Sequence, residues 1–316
     1  MRPKIQNRSS KGDPTLEELP VACASESAAV EFLEKQRFGD CPYCPKCASV
    51  DVYKMLKARS KERQANFRWR CRDCKEQFTV RTGTVFEDSR IPLHKWCHAF
   101  WRASTSKKGV SALEMKRHLR LSYKSALFLM HRIRWAMQEH TPEQLTGIVE
   151  VDETYVGGKP RYRGKSKRGR GTDKIPVVAL VQRGGQVRVR KIRKLTSRAL
   201  KSAILDHVDL SARIITDENT AYSGIGASYA GGHQTINHGA GEYARGDVTT
   251  NTVEGFFGIV KRSLYGIYHA VSDEHLHRYL AEYEFRWNHR ELEDGPRTVK
   301  AIQGSVGKRL LYKPIP

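Results

Sequence analysis

Three carboxylates stand out for the chemistry they could do together. Asp152 closes the run Gly147-Ile-Val-Glu-Val-Asp152, and Asp217 closes Arg213-Ile-Ile-Thr-Asp217. Glu254 lies within Asn251-Thr-Val-Glu-Gly-Phe-Phe-Gly-Ile-Val-Lys-Arg262. The first two runs are apolar and β-branched, and each stops at an acid. In the third, Val253, Phe256, Phe257 and Val260 recur at helical spacing, so one face of a helix is buried. Mg2+ takes oxygen ligands and keeps waters, so a few carboxylates suffice and a substrate phosphate completes the shell. Two such ions activate an attacking oxygen and stabilise a leaving one in phosphodiester cleavage. Asp152 would bridge both ions, with Asp217 and Glu254 each holding one. Glu150, Glu153 and Glu218 compete for these roles. Strand alternation puts Glu150 on the face of Asp152 but deeper, and turns Glu153 and Glu218 away. Each acid taken singly is more often an exposed carboxylate or a helix cap; the triple is more specific than its parts.

A second cluster is made of thiols. Cys41-Pro-Tyr-Cys44-Pro-Lys-Cys47 is followed by Cys71-Arg-Asp-Cys74, with the strand-like Val50-Asp-Val-Tyr53 and Phe67-Arg-Trp-Arg70 between. Two C-x-x-C knuckles joined by a hairpin make a zinc ribbon, in which four thiolates close a tetrahedron around Zn2+. Cys41/Cys44 and Cys44/Cys47 both have the spacing. We choose Cys44, Cys47, Cys71 and Cys74, because Cys47-Ala48-Ser49 leads straight into a strand; Cys41 is then a spare. Cys23 and Cys97 are lone thiols, expected to be simply buried.

The elements that must position these groups follow from periodicity and punctuation. Residues 1–40 are a loose lead-in to about residue 24 and then a short helix from Ser25 to Gln36. Residues 41–90 form the ribbon. Within 91–140, Leu93, Trp96, Cys97, Phe100 and Trp101 share one helical face, and Ser111 with Glu114 forms a capping box. Two amphipathic segments broken near Leu121-Ser122 suggest a helix-turn-helix, with Tyr123 and Lys124 at the start of its second helix facing DNA. An ordinary helical hairpin is nearly as good a reading. Residues 144–290 read as strands at 148–152, 175–182 and 186–193, a helix at 197–208, strands at 212–217 and 233–237, and helices at 251–263 and 272–289. Arg183-Gly184-Gly185 marks a hairpin. This order gives an α/β ribonuclease-H-like domain, a mixed five-stranded sheet with helices, in which the first and fourth strands are neighbours and bring Asp152 beside Asp217. Residues 291–316 are a basic tail.

The 316 residues carry a formal charge of +22 and a pI near 9.8, which favours a polyanionic partner, above all nucleic acid. Gly157 to Gly171 is Gly-rich and strongly basic, and its Lys159 and Arg161 are candidates for phosphate contact. No apolar run is long enough to span a membrane, and the N-terminus has no signal-peptide pattern. C-x-x-C thiols fit a reducing compartment. His238, His269, His275 and His277 lie near the third acid in sequence, and the helical setting of His275 and His277 makes them surface or capping residues. Tyr283, Phe285 and Trp287 are core aromatics.

The blocks Gly147–Lys159, Thr216–Tyr222 and Asn251–Lys261 resemble the catalytic blocks of DDE-type insertion-sequence transposases. The similarity is to the ISXO-type group with an N-terminal zinc ribbon, and it extends to Cys44-Pro-Lys-Cys47, Arg81-Thr-Gly-Thr-Val-Phe86 and Tyr279–Arg290. The resemblance implies Asp152, Asp217 and Glu254 as a Mg2+-binding triad, with Lys261 two helical turns beyond Glu254 touching DNA beside Arg262. It further implies water attack at an element end, attack of the freed 3′-hydroxyl on target DNA, recognition of terminal inverted repeats, and a homo-oligomer joining two ends. The setting would be the prokaryotic cytoplasm, at the nucleoid. Cys41 and Phe257, which stands where the group has tryptophan, are departures. Two other classes compete. A recombinase using Tyr155 or Tyr222 lacks the Arg/His set such chemistry needs. A non-catalytic DNA-binding regulator, or an inactive copy, leaves the three acids unexplained.

Overall fold

A computed structural model describes residues 13–139, 143–157 and 174–311. Lys159 and Arg161 lie outside the described residues. The chain divides into two compact units, one ending at Met137 and completed by residues after Arg290, the other spanning Gln138–Arg290.

The first unit holds helices α1 (Pro14–Ala24), α2 (Glu26–Phe38), α3 (Leu93–Thr105), α4 (Ala112–Leu119), α5 (Tyr123–Met137) and α9 (Asp294–Gln303), with the antiparallel strands β1 (Val52–Lys54), β2 (Trp69–Cys71) and β3 (Gln77–Phe78). Two expectations are corrected here. The lead-in contains α1, and the tail contains α9. One carboxylate explains both: Asp13 accepts from Thr15 N at 3.0 Å and Gly295 N at 3.0 Å, so it caps two helix starts. A Cβ on Gly295 would fall 2.1 Å from Asp13 Oδ2, so only glycine allows the approach. The capping partner lies almost the whole chain away, which no local pattern can show. Elsewhere the caps agree with the sequence: Ser25 accepts from Ala28 N at 3.2 Å to start α2. Ser111 caps α4 at Glu114 N, but the Glu114 carboxylate turns to Arg102 at 2.9 Å instead of closing the box. Arg120, at φ 50°, ends α4 in the left-handed region, and Ser122 accepts from Ser125 N to begin α5. The structure thus has a tightly turned helix pair at 112–137.

The second unit is built on a five-stranded sheet, β4 (Ile148–Val156), β5 (Ile175–Gln182), β6 (Val187–Lys191), β7 (Arg213–Asp217) and β8 (His233–Ile236), in the order β6-β5-β4-β7-β8. β4, β5 and β6 are antiparallel; β7 runs parallel to β4, and β8 parallel to β7. Gly184, at φ 72°, makes the turn between β5 and β6. α6 (Ser197–His207) covers one face, where Leu200 and Ile204 meet Val149, Val151, Val178 and Leu180. α7 (Asn251–Ser263) and α8 (Asp273–Asn288) cover the other, where Val253, Phe256, Val260 and Leu280 meet Val177, Ala179 and Val181. Tyr283 and Phe285 are buried. The mixed sheet with helices is consistent with a ribonuclease-H-like fold. No helix among the described residues is long and apolar enough to cross a membrane.

Candidate active site

The ladder between β4 and β7 pairs Ile148 with Arg213, Val149 with Ile214 and Glu150 with Ile215. Continued two residues, this register brings Asp152 level with Asp217 on the neighbouring strand. β4 does not stop at Asp152 as its sequence suggested. It continues to Val156 because β5 pairs along its whole length. The acids therefore sit where the parallel ladder gives out, beside a longer antiparallel arm.

Glu150 and Glu153, the two acids flanking Asp152, turn out to be structural. Glu150 is fully buried and accepts from Thr252 N at 2.7 Å, Val253 N at 3.0 Å and Thr252 Oγ1 at 2.9 Å, which satisfies the first turn of α7. Arg183, from the β5–β6 turn, donates to Glu150 through Nε at 3.0 Å and Nη2 at 2.7 Å. It also reaches the carbonyls of Asp247 and Thr249, the stretch leading into α7. Glu254 is carried on the first turn of that helix. Glu153, on the opposite face of β4, accepts from Asn219 Nδ2 and from the Tyr222 hydroxyl. Asn219 follows Asp217 closely, donates its N–H to Asp217 Oδ1 at 3.1 Å and caps the short turn at 220–222. One strand thus anchors the elements that carry the other two acids: Glu150 holds the helix bearing Glu254, and Glu153 holds the loop after Asp217.

Burial and mutual proximity, rather than ion pairs with Lys or Arg, set the electrostatics of these acids among the described residues. Burial pushes the Asp152 carboxyl up to about 7, with Glu153, Asp217 and Glu254 adding to the rise and the Glu153 N–H opposing it. Burial also raises Asp217. Among the described residues no Lys or Arg forms an ion pair with Asp152, Asp217 or Glu254; the basic neighbour is His238, whose Nε2 lies 3.3 Å from Glu254 Oε1 and 3.1 Å from Thr250 Oγ1. Thr250 donates to Glu254 Oε1 at 2.8 Å. A buried carboxyl whose proton affinity is raised by neighbouring oxygen donors, as Asp152 is, is one that a hard divalent cation would relieve.

Lys261 and Arg262 are exposed on the last turn of α7. Lys261 lies 6.0 Å from the ring centroid of Phe257, which is buried. Tyr123 and Lys124 are exposed at the start of α5. Tyr222 is buried with its hydroxyl on Glu153 and its pKa raised well above 10, so it cannot serve as a recombinase nucleophile.

In the ribbon, Cys44, Cys47, Cys71 and Cys74 have sulfurs all within 4.8 Å of one another. Cys44 and Cys74 Sγ are 3.7 Å apart, and Cys47 and Cys71 3.6 Å. Zn–S bonds of about 2.3 Å at tetrahedral angles separate sulfurs by about 3.8 Å, so the four fit structural Zn2+. Ala48 and Lys75, each following the second cysteine of its pair, share φ 61°, the same knuckle built twice. Cys41 is exposed and outside the cluster. Of the two lone thiols expected to be buried, Cys97 is and Cys23 is only half-buried; burial raises both, Cys23 to about 11. Glu34 of α2 fastens the ribbon, accepting from Trp69 Nε1 at 2.7 Å and from both terminal nitrogens of Arg63.

Comparison with known proteins agrees with this architecture. Residues 144–288 match the family model of the ISXO2-like transposase domain, and residues 24–77 that of the transposase zinc-ribbon domain. A protein in transposable element ISH50 of Halobacterium salinarum is 32% identical over 296 residues, covering 88% of this chain and 96% of the relative. The chain belongs to the ISXO2-like DDE transposases. In this transposase Arg81-Thr-Gly-Thr-Val-Phe86 has a structural part: Arg81 donates to the carbonyls of Ser89 and Ile91 and pairs with Glu26 at 3.0 Å. Glu26 in turn accepts from Leu93 N at the start of α3. Sequence reasoning missed the two anchoring acids of the transposase domain and the closeness of His238 to Glu254. The alternation that places Glu150 on the face of Asp152 was the one available signal for its role.

Proposed function

We propose that this transposase carries out Mg2+-dependent cleavage at insertion-sequence ends and transfer of the 3′-hydroxyl into target DNA, with Asp152, Asp217 and Glu254 as its metal-holding residues. The observation that carries this reading is three acids from three elements, two of them rigidly anchored through Glu150 and Glu153, with no Lys or Arg counter-ion among the described residues. Mg2+ held there would supply the activation of the attacking oxygen and the stabilisation of the leaving oxygen. The chain's own part is positioning. Asp152 must be ionised to serve, and a cation held there would offset the burial that raises its pKa. Glu150 and Arg183 keep Glu254 at a fixed distance from Asp152 while DNA is handled.

Lys261 and Arg262 at the far end of α7 would meet phosphates, as would Lys159 and Arg161. The ribbon and the helix pair at 112–137, read as a helix-turn-helix with Tyr123 and Lys124 leading its second helix, would recognise the inverted repeats. The charge of +22 suits such contacts, whose affinity falls steeply with salt. Joining two ends calls for a homo-oligomer on DNA, in the cytoplasm at the nucleoid. The test is a nicking and strand-transfer assay on labelled duplex carrying the inverted repeat that flanks the coding sequence. Wild type with Mg2+ should nick; Glu254→Ala should bind equally and not nick. Equal binding with no nicking by wild type, even with paired ends supplied, would support a regulator instead.

A further inference from the structure

Beside the three acids lies an aromatic side chain that the fold does not use. Tyr243 is 69% exposed, the most exposed of the large apolar side chains among the described residues. A tyrosine ring left in water gives up the burial that normally justifies its presence. Its loop is nonetheless tied down at the base. Asn237 and Glu242 exchange two hydrogen bonds, Glu242 N to Asn237 O and Asn237 N to Glu242 Oε2, both at 3.0 Å. Arg245 and Val248 pair through their backbones, and Arg245 Nη2 reaches Thr235 O at 2.9 Å, at the end of β8. The ring itself touches His238, with centroids 5.8 Å apart and planes inclined at 51°. His238 in turn touches Glu254 and Thr250. One imidazole therefore separates an exposed aromatic face from the third acid.

We propose that Tyr243, backed by His238, is a nucleobase-binding shelf that holds the base next to the scissile phosphate. The inference rests on the reading that the acids cut DNA. A phosphate held by Asp152, Asp217 and Glu254 would have its nearest bases close to Glu254, and the Tyr243 ring stands one imidazole away from that acid. Every base has a π-face, so stacking on a tyrosine grips DNA without reading its sequence. It also holds the strand against rotation about the phosphate being attacked, which makes Tyr243 a positioning residue. The ligand class is a nucleobase, unpaired or at a duplex end, because a base stacked within intact duplex presents no free face.

The experiment uses the full-length protein and a duplex bearing the flanking inverted repeat, with 2-aminopurine placed in turn at each base bordering the cleavage position, opposite an abasic site that leaves it unpaired. Fluorescence is read with Ca2+ in place of Mg2+, and cleavage with Mg2+. Tyr243 is exposed, so its substitution leaves the fold intact. Wild type and Tyr243→Phe should change the fluorescence of one bordering base and cleave alike. Tyr243→Ser should lose that change and cleave roughly tenfold more slowly, the order expected for one stacked base, while the affinity for the whole duplex stays within about twofold. If wild type and Tyr243→Ser give the same fluorescence change and the same cleavage, the shelf is refuted and the cutting reading stands. If wild type does not cleave at all, both fall together.

Discussion

Replacing Asp152 by asparagine should make the metal-free protein more stable, even as it removes a residue the proposed chemistry needs. Folding raises this carboxyl from 3.8 to about 7, chiefly by burial and then by its acidic neighbours. A tenfold change in proton affinity is worth about 1.36 kcal/mol, so the anion is disfavoured by up to ~4 kcal/mol. Relaxation and water entry should leave about half of that. The sign follows from proton counting. Between pH 3.8 and 7 the folded state holds a proton that the unfolded state has lost, so stability falls as pH rises. Wild type and Asp152→Asn should therefore be nearly equal at pH 4, diverge through pH 7, and differ by ~2 kcal/mol at pH 8 in EDTA. Adding Mg2+ at pH 8 should close the gap for wild type and leave the asparagine variant unmoved. Urea unfolding gives the difference, and hydrogen exchange of β4 and β7 amides shows whether it belongs to this unit and not to the other. A gap independent of pH, or a wild type more stable than the variant at pH 8 in EDTA, would refute the account of Asp152 as a strained, metal-ready acid.

Other expectations concern the anchors and the ribbon. Glu150→Gln weakens the charge-assisted hydrogen bonds that the buried Glu150 accepts from the part-exposed Arg183 and from the start of α7 and should cost ~2 kcal/mol by urea unfolding; no loss would mean that α7 is held by packing alone. Tyr222→Phe removes the hydroxyl that Glu153 accepts and should cost ~1.5 kcal/mol, again measurable by urea. If metal-dependent cleavage is then unchanged in Mg2+ titrations, the loop after Asp217 is set without that bond. Cys71→Ser should abolish stoichiometric zinc, whereas Cys41→Ser should retain it; elemental analysis decides, and the reverse result would place Cys41 in the ligand set.

Much of this protein is written locally. The α7 boundaries at Asn251 and Ser263, the β5–β6 turn at Gly184 and the two zinc knuckles all follow from periodicity, glycine placement and C-x-x-C spacing. Those signals concern groups within a few residues of one another, where backbone geometry alone dictates the outcome. The adjacency of β4 and β7 was also legible, because the order of strands and helices leaves few sheets that can be built.

Tertiary structure decided the rest. Glu150, Asp152 and Glu153 are three acids within four residues, and their spacing assigns faces of the strand without saying which acids meet donors from other elements. That depends on where Thr252, Arg183, Asn219 and Tyr222 arrive, some 33 to 102 residues away. The same holds for Asp13 and Gly295, which turned a supposed lead-in and a supposed tail into packed helices. A carboxylate is ligand, cap or ion pair according to the donors that meet it. Sequence by itself determined which elements form, through interactions a few residues long. Only folding determined which acids were consumed holding those elements together, because hydrogen-bond partners are chosen by position in space.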